Sequence, residues 1–165
     1  MSDRVRAVLI TPDDKMLTIG RIRPGHASYS VLPGGGVEDS DRSLEAALQR
    51  EIEEELGGQA VIHSLIHIDD SVPGQRQYIF LARIDAWDIR ARSGPEFNDP
   101  ARGQYLLQAT PLTREAVVGL NLLPDVVAVL LADHVRVLFA MADLRGACQG
   151  QPGAVRCGER RDTSP

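Results

Sequence analysis

The chain is poor in cysteine and aromatics, has no basic cluster, and has no apolar run long and charge-free enough to cross a bilayer. Cys148 and Cys157 are the only cysteines in 165 residues. Neither CxxC spacing nor a set of histidines accompanies them, which leaves no zinc pattern. Reduced thiols are expected, consistent with a cytoplasmic compartment. Acidic residues outnumber basic ones, 23 to 18, for a net charge of -5. Without a Lys/Arg cluster such a chain is not built to hold polymeric nucleic acid, whose phosphates must be neutralised. The opening MSDRVRAVLI is too short and too charged for a signal peptide. The most apolar stretch, residues 124–145, carries Asp133, His134 and Arg136 in its middle, which argues against a membrane span. No internal repeat is visible.

What is present is an ordinary globular composition, 43% hydrophobic and 25% charged. The length suits one domain with a proper core. We expect that domain over residues 1–146. The Gly, Pro, Arg and Ser-rich residues 147–165 are expected to be a disordered tail. Strands are expected over residues 4–11, 15–23, 28–32, 59–69, 77–87 and 103–112, from apolar and β-branched runs bounded by turn residues. The first two should form a hairpin around Thr11-Pro12-Asp13-Asp14, and the fourth and fifth an antiparallel pair. Residues 90–102 read as a loop and 113–122 as a short helix after a Thr cap. Residues 124–145 read as one helix starting at Pro124 and buried on two sides, one against the sheet and one available to a second subunit.

The most informative stretch is Leu32 to Gly58, LPGGGVEDSDRSLEAALQREIEEELGG. Pro33 and three glycines, Gly34, Gly35 and Gly36, lead through a polar turn into a helix. Ser43 or Asp41 can cap its start, and Gly57 or Gly58 its end. Leu44, Leu48, Ile52 and Leu56 recur every four residues and form an apolar stripe. Glu51, Glu54 and Glu55 are related by i+3 and i+4, so they share a face beside that stripe. Three carboxylates at the rim of a buried surface repel one another. A hard cation relieves the repulsion, and carboxylate oxygens suit Mg²⁺ or Mn²⁺. A bare acidic run would otherwise read as a solvated helix face.

Loop and helix together resemble the Nudix box. Gly35 fits its opening glycine, and Arg50, Glu51, Ile52, Glu54, Glu55 and Gly57 fit its second half without a gap; Gly58 stands where the family usually has an apolar residue. Asp41 stands where the family has glutamate, and eight residues rather than seven then separate it from Arg50. In the family that glutamate braces the box through the arginine. The departure therefore bears on the brace more than on the chemistry.

The resemblance implies an α/β fold of the Nudix type: an α/β/α sandwich with a central mixed β-sheet, a catalytic loop and helix, and a C-terminal helix. It implies a Mg²⁺-dependent hydrolase, with Mn²⁺ as substitute, that cleaves the pyrophosphate bond of a nucleoside diphosphate linked to another moiety. Glu51, Glu54, Glu55 and the Gly34 carbonyl are then the expected metal ligands. Arg50 is expected to hold the carboxylates in place, with Glu54 in reach at i+4. Glu51 is the first candidate for general base and Glu96, in the loop of residues 90–102, the second. Glu38 could face phosphate or metal, or be only a turn residue. His26, Tyr29, Arg21 and Arg23 lie near the sheet end that the family uses for the nucleoside. Trp87, Phe97 and Tyr105 could stack a base, although core packing is the commoner fate of an aromatic. His63 and His67 read as half-buried strand residues rather than ligands. The expected partners are a small-molecule nucleoside diphosphate derivative and a second copy of the chain through the apolar C-terminal helix. Polymeric nucleic acid and membrane are not expected. The competing class is a non-catalytic Nudix-fold sensor that binds a nucleotide or metabolite.

Overall fold

In the computed structural model, residues 2–93 and 103–146 are described. The elements are β1 (Ser2–Ile10), β2 (Lys15–Ile22), β3 (Tyr29–Val31), α1 (Leu44–Leu56), β4 (Ala60–Asp69), β5 (Gln75–Ile84), β6 (Gln104–Pro111), α2 (Arg114–Val118), β7 (Leu122–Leu123) and α3 (Asp125–His134). One mixed sheet runs in the order β4-β5-β1-β2-β3-β7, with β6 paired to β2. β4 and β5 are antiparallel, as expected. β1 lies parallel to β5 along its whole length, a long-range pairing that no local signal announced.

Two cores cover the two faces of the sheet. On one, Leu44, Leu48, Ile52 and Leu56 of α1 pack on Val5, Ala7, Leu9 and Phe80. On the other, Val127 and Leu131 of α3 pack on Val8, Ile10, Ile79 and Leu81. The expected sandwich is therefore present, and its periodic stripe is what fixes α1 to the sheet. Ser43 is the N-cap and accepts from the Ala46 N–H at 3.1 Å. Gly57 closes the helix in the left-handed region at φ 64°.

The β1–β2 hairpin forms only at its closed end, where Leu9 faces Leu17 and Ile10 faces Met16. Beyond that β2 pairs with β3 from Ile19 to Arg21, while β6 runs along its other edge from Lys15 to Ile22. The glycine-rich loop takes the vacated edge of β1. Ala7 N–H donates to the Pro33 carbonyl and Val5 N–H to the Gly35 carbonyl, both at 2.9 Å, and Val37 N–H returns to the Asp3 carbonyl at 2.9 Å. The loop is thus held as a piece of the sheet.

The C-terminal segment differs from the single helix expected over 124–145. α3 ends at His134, and a separate 3-10 turn follows at Leu138–Ala140. The chain is apolar on nearly every side there, so the pattern has no phase that marks an end. Val127 and Leu131 are buried, while Val129 is 60% exposed. Among the described residues no helix is long and apolar enough to cross a membrane.

Candidate active site

Two glycines of the loop are closely approached by what lies against them, Gly34 by backbone and Gly35 by a side chain. Gly34 has φ 131°, and a Cβ there would strike the Val5 carbonyl oxygen. A Cβ on Gly35 would enter the carboxylate of Glu51. Gly36 faces open space. The close approach of Gly35 to Glu51 places bare backbone directly beside the helix acids.

α1 presents its carboxylates in graded exposure. The Glu55 residue is 9% exposed and its Oε2 accepts from the Gly34 N–H at 2.7 Å. The Glu51 side chain is 12% exposed and that of Glu54 38%. Burial holds the Glu51 carboxyl above the usual glutamate range, against the opposing pull of Arg50. The three acids line one cleft of about 500 Å³ together with the three glycines, Glu38 and Arg50.

Arg50 ties these groups together. Its Nη1 donates to Glu51 Oε1 at 3.0 Å and lies 3.5 Å from Glu54 Oε2, the expected i+4 pair. Its Nη2 donates to the Gly36 carbonyl at 2.8 Å. Asp41 completes the set, accepting from Nε at 3.2 Å and Nη2 at 3.0 Å. The brace is intact in spite of the shorter acid and the extra residue. The turn absorbs both: Asp41 N–H donates to the Glu38 carbonyl at 3.0 Å, and Asp41 Oδ2 accepts from the Glu38 N–H at 2.8 Å. Arg50 holds Asp41 below the ordinary carboxylate pKa, and Asp41 in turn raises that of Arg50.

Sequence reasoning missed two arginines of β1. Arg4 and Arg6 also line the cleft. Arg6 Nη1 donates to the Leu32 carbonyl at 3.2 Å and makes a short hydrogen bond to the Gly34 carbonyl. Burial, with Arg4 nearby, pulls the Arg6 pKa down to about 10. The available signal was a charged residue inside an otherwise apolar strand. At the far end of the cleft the Arg21 guanidinium lies over the Tyr105 ring, 3.9 Å from its centre, and Tyr29 is adjacent. Arg21 Nε is buried with no hydrogen-bond partner among the described residues. His63 is exposed against Phe139, away from this cleft. Glu96 and Phe97 lie outside the described residues, as do Cys148, Cys157 and the expected tail.

The donor chemistry suits a hard divalent cation: carboxylate oxygens beside a backbone turn that a Cβ would fill. Among the described residues, no three His, Cys, Asp or Glu side chains already converge in a metal-holding arrangement. Arg50 lies against both Glu51 and Glu54.

Comparison with known proteins bears on the same region. A family model described as the NUDIX domain matches residues 1–102. No curated protein matches the chain. Among solved structures, a Nudix hydrolase from Nitrosomonas europaea is similar with a TM-score of 0.63 at 17% identity, over 86% of this chain and 74% of that one. The E. coli ORF135 protein is similar with a TM-score of 0.56 at 22% identity, over 92% and 95%. A structure from work on MutT of Aliivibrio salmonicida and Vibrio cholerae gives 0.56 at 18% identity, over 81% and 98%. At these identities the structures bear on the fold alone.

Proposed function

The chain belongs to the Nudix family, and from that premise we propose that it is a divalent-cation-dependent hydrolase of the pyrophosphate bond in a nucleoside diphosphate linked to another moiety. One observation carries the reading. Glu51 and Glu55 of α1 are packed against the backbone of Gly35 and Gly34, in a cleft large enough for a small phosphate ester.

Glu51, Glu54 and Glu55 are the residues that would hold Mg²⁺ or Mn²⁺. When bound, the cation supplies Lewis acidity toward the diphosphate oxygens and the attacking water. Glu51 is the first candidate to accept the proton of that water. Glu96 is the second candidate for that proton. Arg50 keeps Glu51, Glu54 and the Gly36 carbonyl in register. The bare backbone at Gly35 lets phosphate approach without a side chain in the way. Arg21, stacked on the Tyr105 ring, offers a cation to the other moiety of the substrate.

The test is release of phosphate or nucleotide from a broad panel of diphosphate-linked nucleosides, with Mg²⁺ and with a chelator. Wild type should turn over at least one of them only with the metal, and Glu54→Gln should be strongly impaired. Equal inactivity of both proteins across the panel would remove the enzyme reading. Tight nucleotide binding by calorimetry without turnover would assign the cleft to a binding module.

A further inference from the structure

The cleft changes sign along its length. One end is acidic, with Glu51, Glu54 and Glu55 of α1 against the glycine loop. The other is lined by Arg4 and Arg6 of β1, Arg21 of β2, and Tyr29 and Tyr105. Arg4 and Arg6 are two apart on one strand, so they share a face. The sheet register sets Arg21 directly opposite Tyr29 on one side and Tyr105 on the other. Its guanidinium lies over the Tyr105 ring and is thereby held in place.

The charges at this end lack counter-charges. The guanidinium of Arg50 is engaged by Asp41, Glu51 and Glu54. Those of Arg4 and Arg21 make no hydrogen bond or ion pair with any described residue. Arg6 is bound to the backbone carbonyls of Leu32 and Gly34. Burial, then Arg4 and more weakly Arg21, lower the Arg6 pKa against the pull of Glu55 and Glu51, so the three cations sense one another. An anion relieves that repulsion, as a cation relieves that of the acids. The planar fork of a guanidinium suits phosphate oxygens. The diphosphate of a substrate is neutralised at the acidic end by its divalent cation. A neutral sugar or base would leave the arginines without a counter-charge.

We propose that Arg4 and Arg21 form an anion subsite, so that on the hydrolase reading of this cleft, on which the inference rests, the substrate carries a further phosphate group besides the diphosphate that is cleaved. Arg6 adds its charge from behind, and the Tyr105 ring fixes the direction of Arg21.

The first probe is inorganic phosphate, titrated into the full chain in a chelating buffer and followed by calorimetry. Without a divalent cation the carboxylates of α1 repel phosphate, so binding reports the basic end alone. Wild type should bind it, and Arg4→Gln and Arg21→Gln should each bind about tenfold more weakly. Arg21→Lys keeps the charge without the fork and should lie between. If one glutamine variant fails to fold, the other is read alone. The second probe is Mg²⁺-dependent hydrolysis of substrate pairs that differ by one phosphate: NADP⁺ with NAD⁺, and coenzyme A with dephospho-coenzyme A. Wild type should prefer the phosphate-bearing member by about tenfold in kcat/KM, and the glutamine variants should lose that preference through KM. No phosphate binding by wild type, or equal affinity in wild type and variants, overturns the inference, as does turnover of both pairs without preference. Turnover that needs Mg²⁺ would in that case leave the proposed function standing. Phosphate binding that depends on Arg4 and Arg21, with no turnover of any diphosphate, would keep the subsite and remove the hydrolase.

Discussion

Asp41 and Arg50 form a two-pronged ion pair, Oδ1 to Nε at 3.2 Å and Oδ2 to Nη2 at 3.0 Å, across nine positions of chain. The Asp41 side chain is 6% exposed, so the pair is largely shielded from water. Asp41→Asn should cost about 2 kcal/mol of stability at neutral pH, as expected for a two-pronged charged hydrogen bond. Arg50 lowers the Asp41 pKa from 3.8, so this contribution is complete above 3.8 and fades as pH falls through the lower folded value. Denaturant titrations of both proteins should therefore differ at pH 7 and converge in acid. A gap that persisted unchanged below the Asp41 titration would contradict the pairing.

Glu51 should behave in the reverse sense. Burial raises its pKa above 4.5, so the folded chain retains a proton that the unfolded chain has released. Stability then falls as pH rises from 4.5 through the folded value. Glu51→Gln removes that loss. Melting in a chelating buffer from acid to neutral should show the variant at least as stable as wild type at pH 7, with a shallower pH dependence. Its hydrolytic rate should drop by about 10²- to 10⁴-fold, the range for a lost general base.

The glycines of the loop should separate by position. Gly35→Ala drives a methyl into the Glu51 carboxylate and should cut kcat/KM by about 10²-fold, the scale of a displaced reacting group. Gly36→Ala meets nothing within 4 Å and should stay near wild type. Steady-state kinetics on the purified pair decides this, and equal behaviour would mean that Gly35 does not sense Glu51.

Ser43→Ala should lower stability by about 1 kcal/mol through loss of its hydrogen bond to the Ala46 N–H. Chemical denaturation measures it. Activity at saturating substrate should be unchanged, because the cap lies at the opposite end of α1 from Glu54 and Glu55.

Local patterns carried much of the structure in advance. The four-residue recurrence from Leu44 to Leu56 gave α1 and its buried face, and Ser43 and Gly57 gave its ends. Apolar runs between turn residues located the six longer strands to within a few positions. What stayed hidden depends on distant chain. The parallel β1–β5 pairing joins segments about seventy residues apart and leaves no periodic mark in either. Asp41 reaches Arg50 only because the turn at Glu38 folds back on itself, which spacing alone does not reveal. Arg6 stands in the sequence as one more residue of an apolar strand. Its bond to the Gly34 carbonyl emerges only when the glycine loop is laid beside it. The early end of α3 had no signal, since Pro124 marks a start and no breaker marks a stop.

The insertion of residues 33–37 along β1 has a consequence for how this chain misbehaves when damaged. Peeling that loop away would uncover the amide and carbonyl groups of Val5 and Ala7 on a strand whose second half, from Ala7 to Ile10, is fully buried. Such a bared, apolar ribbon is a template for recruiting a neighbour's backbone. Lesions in that loop should then surface in a cell as insoluble protein before they surface as slow enzyme.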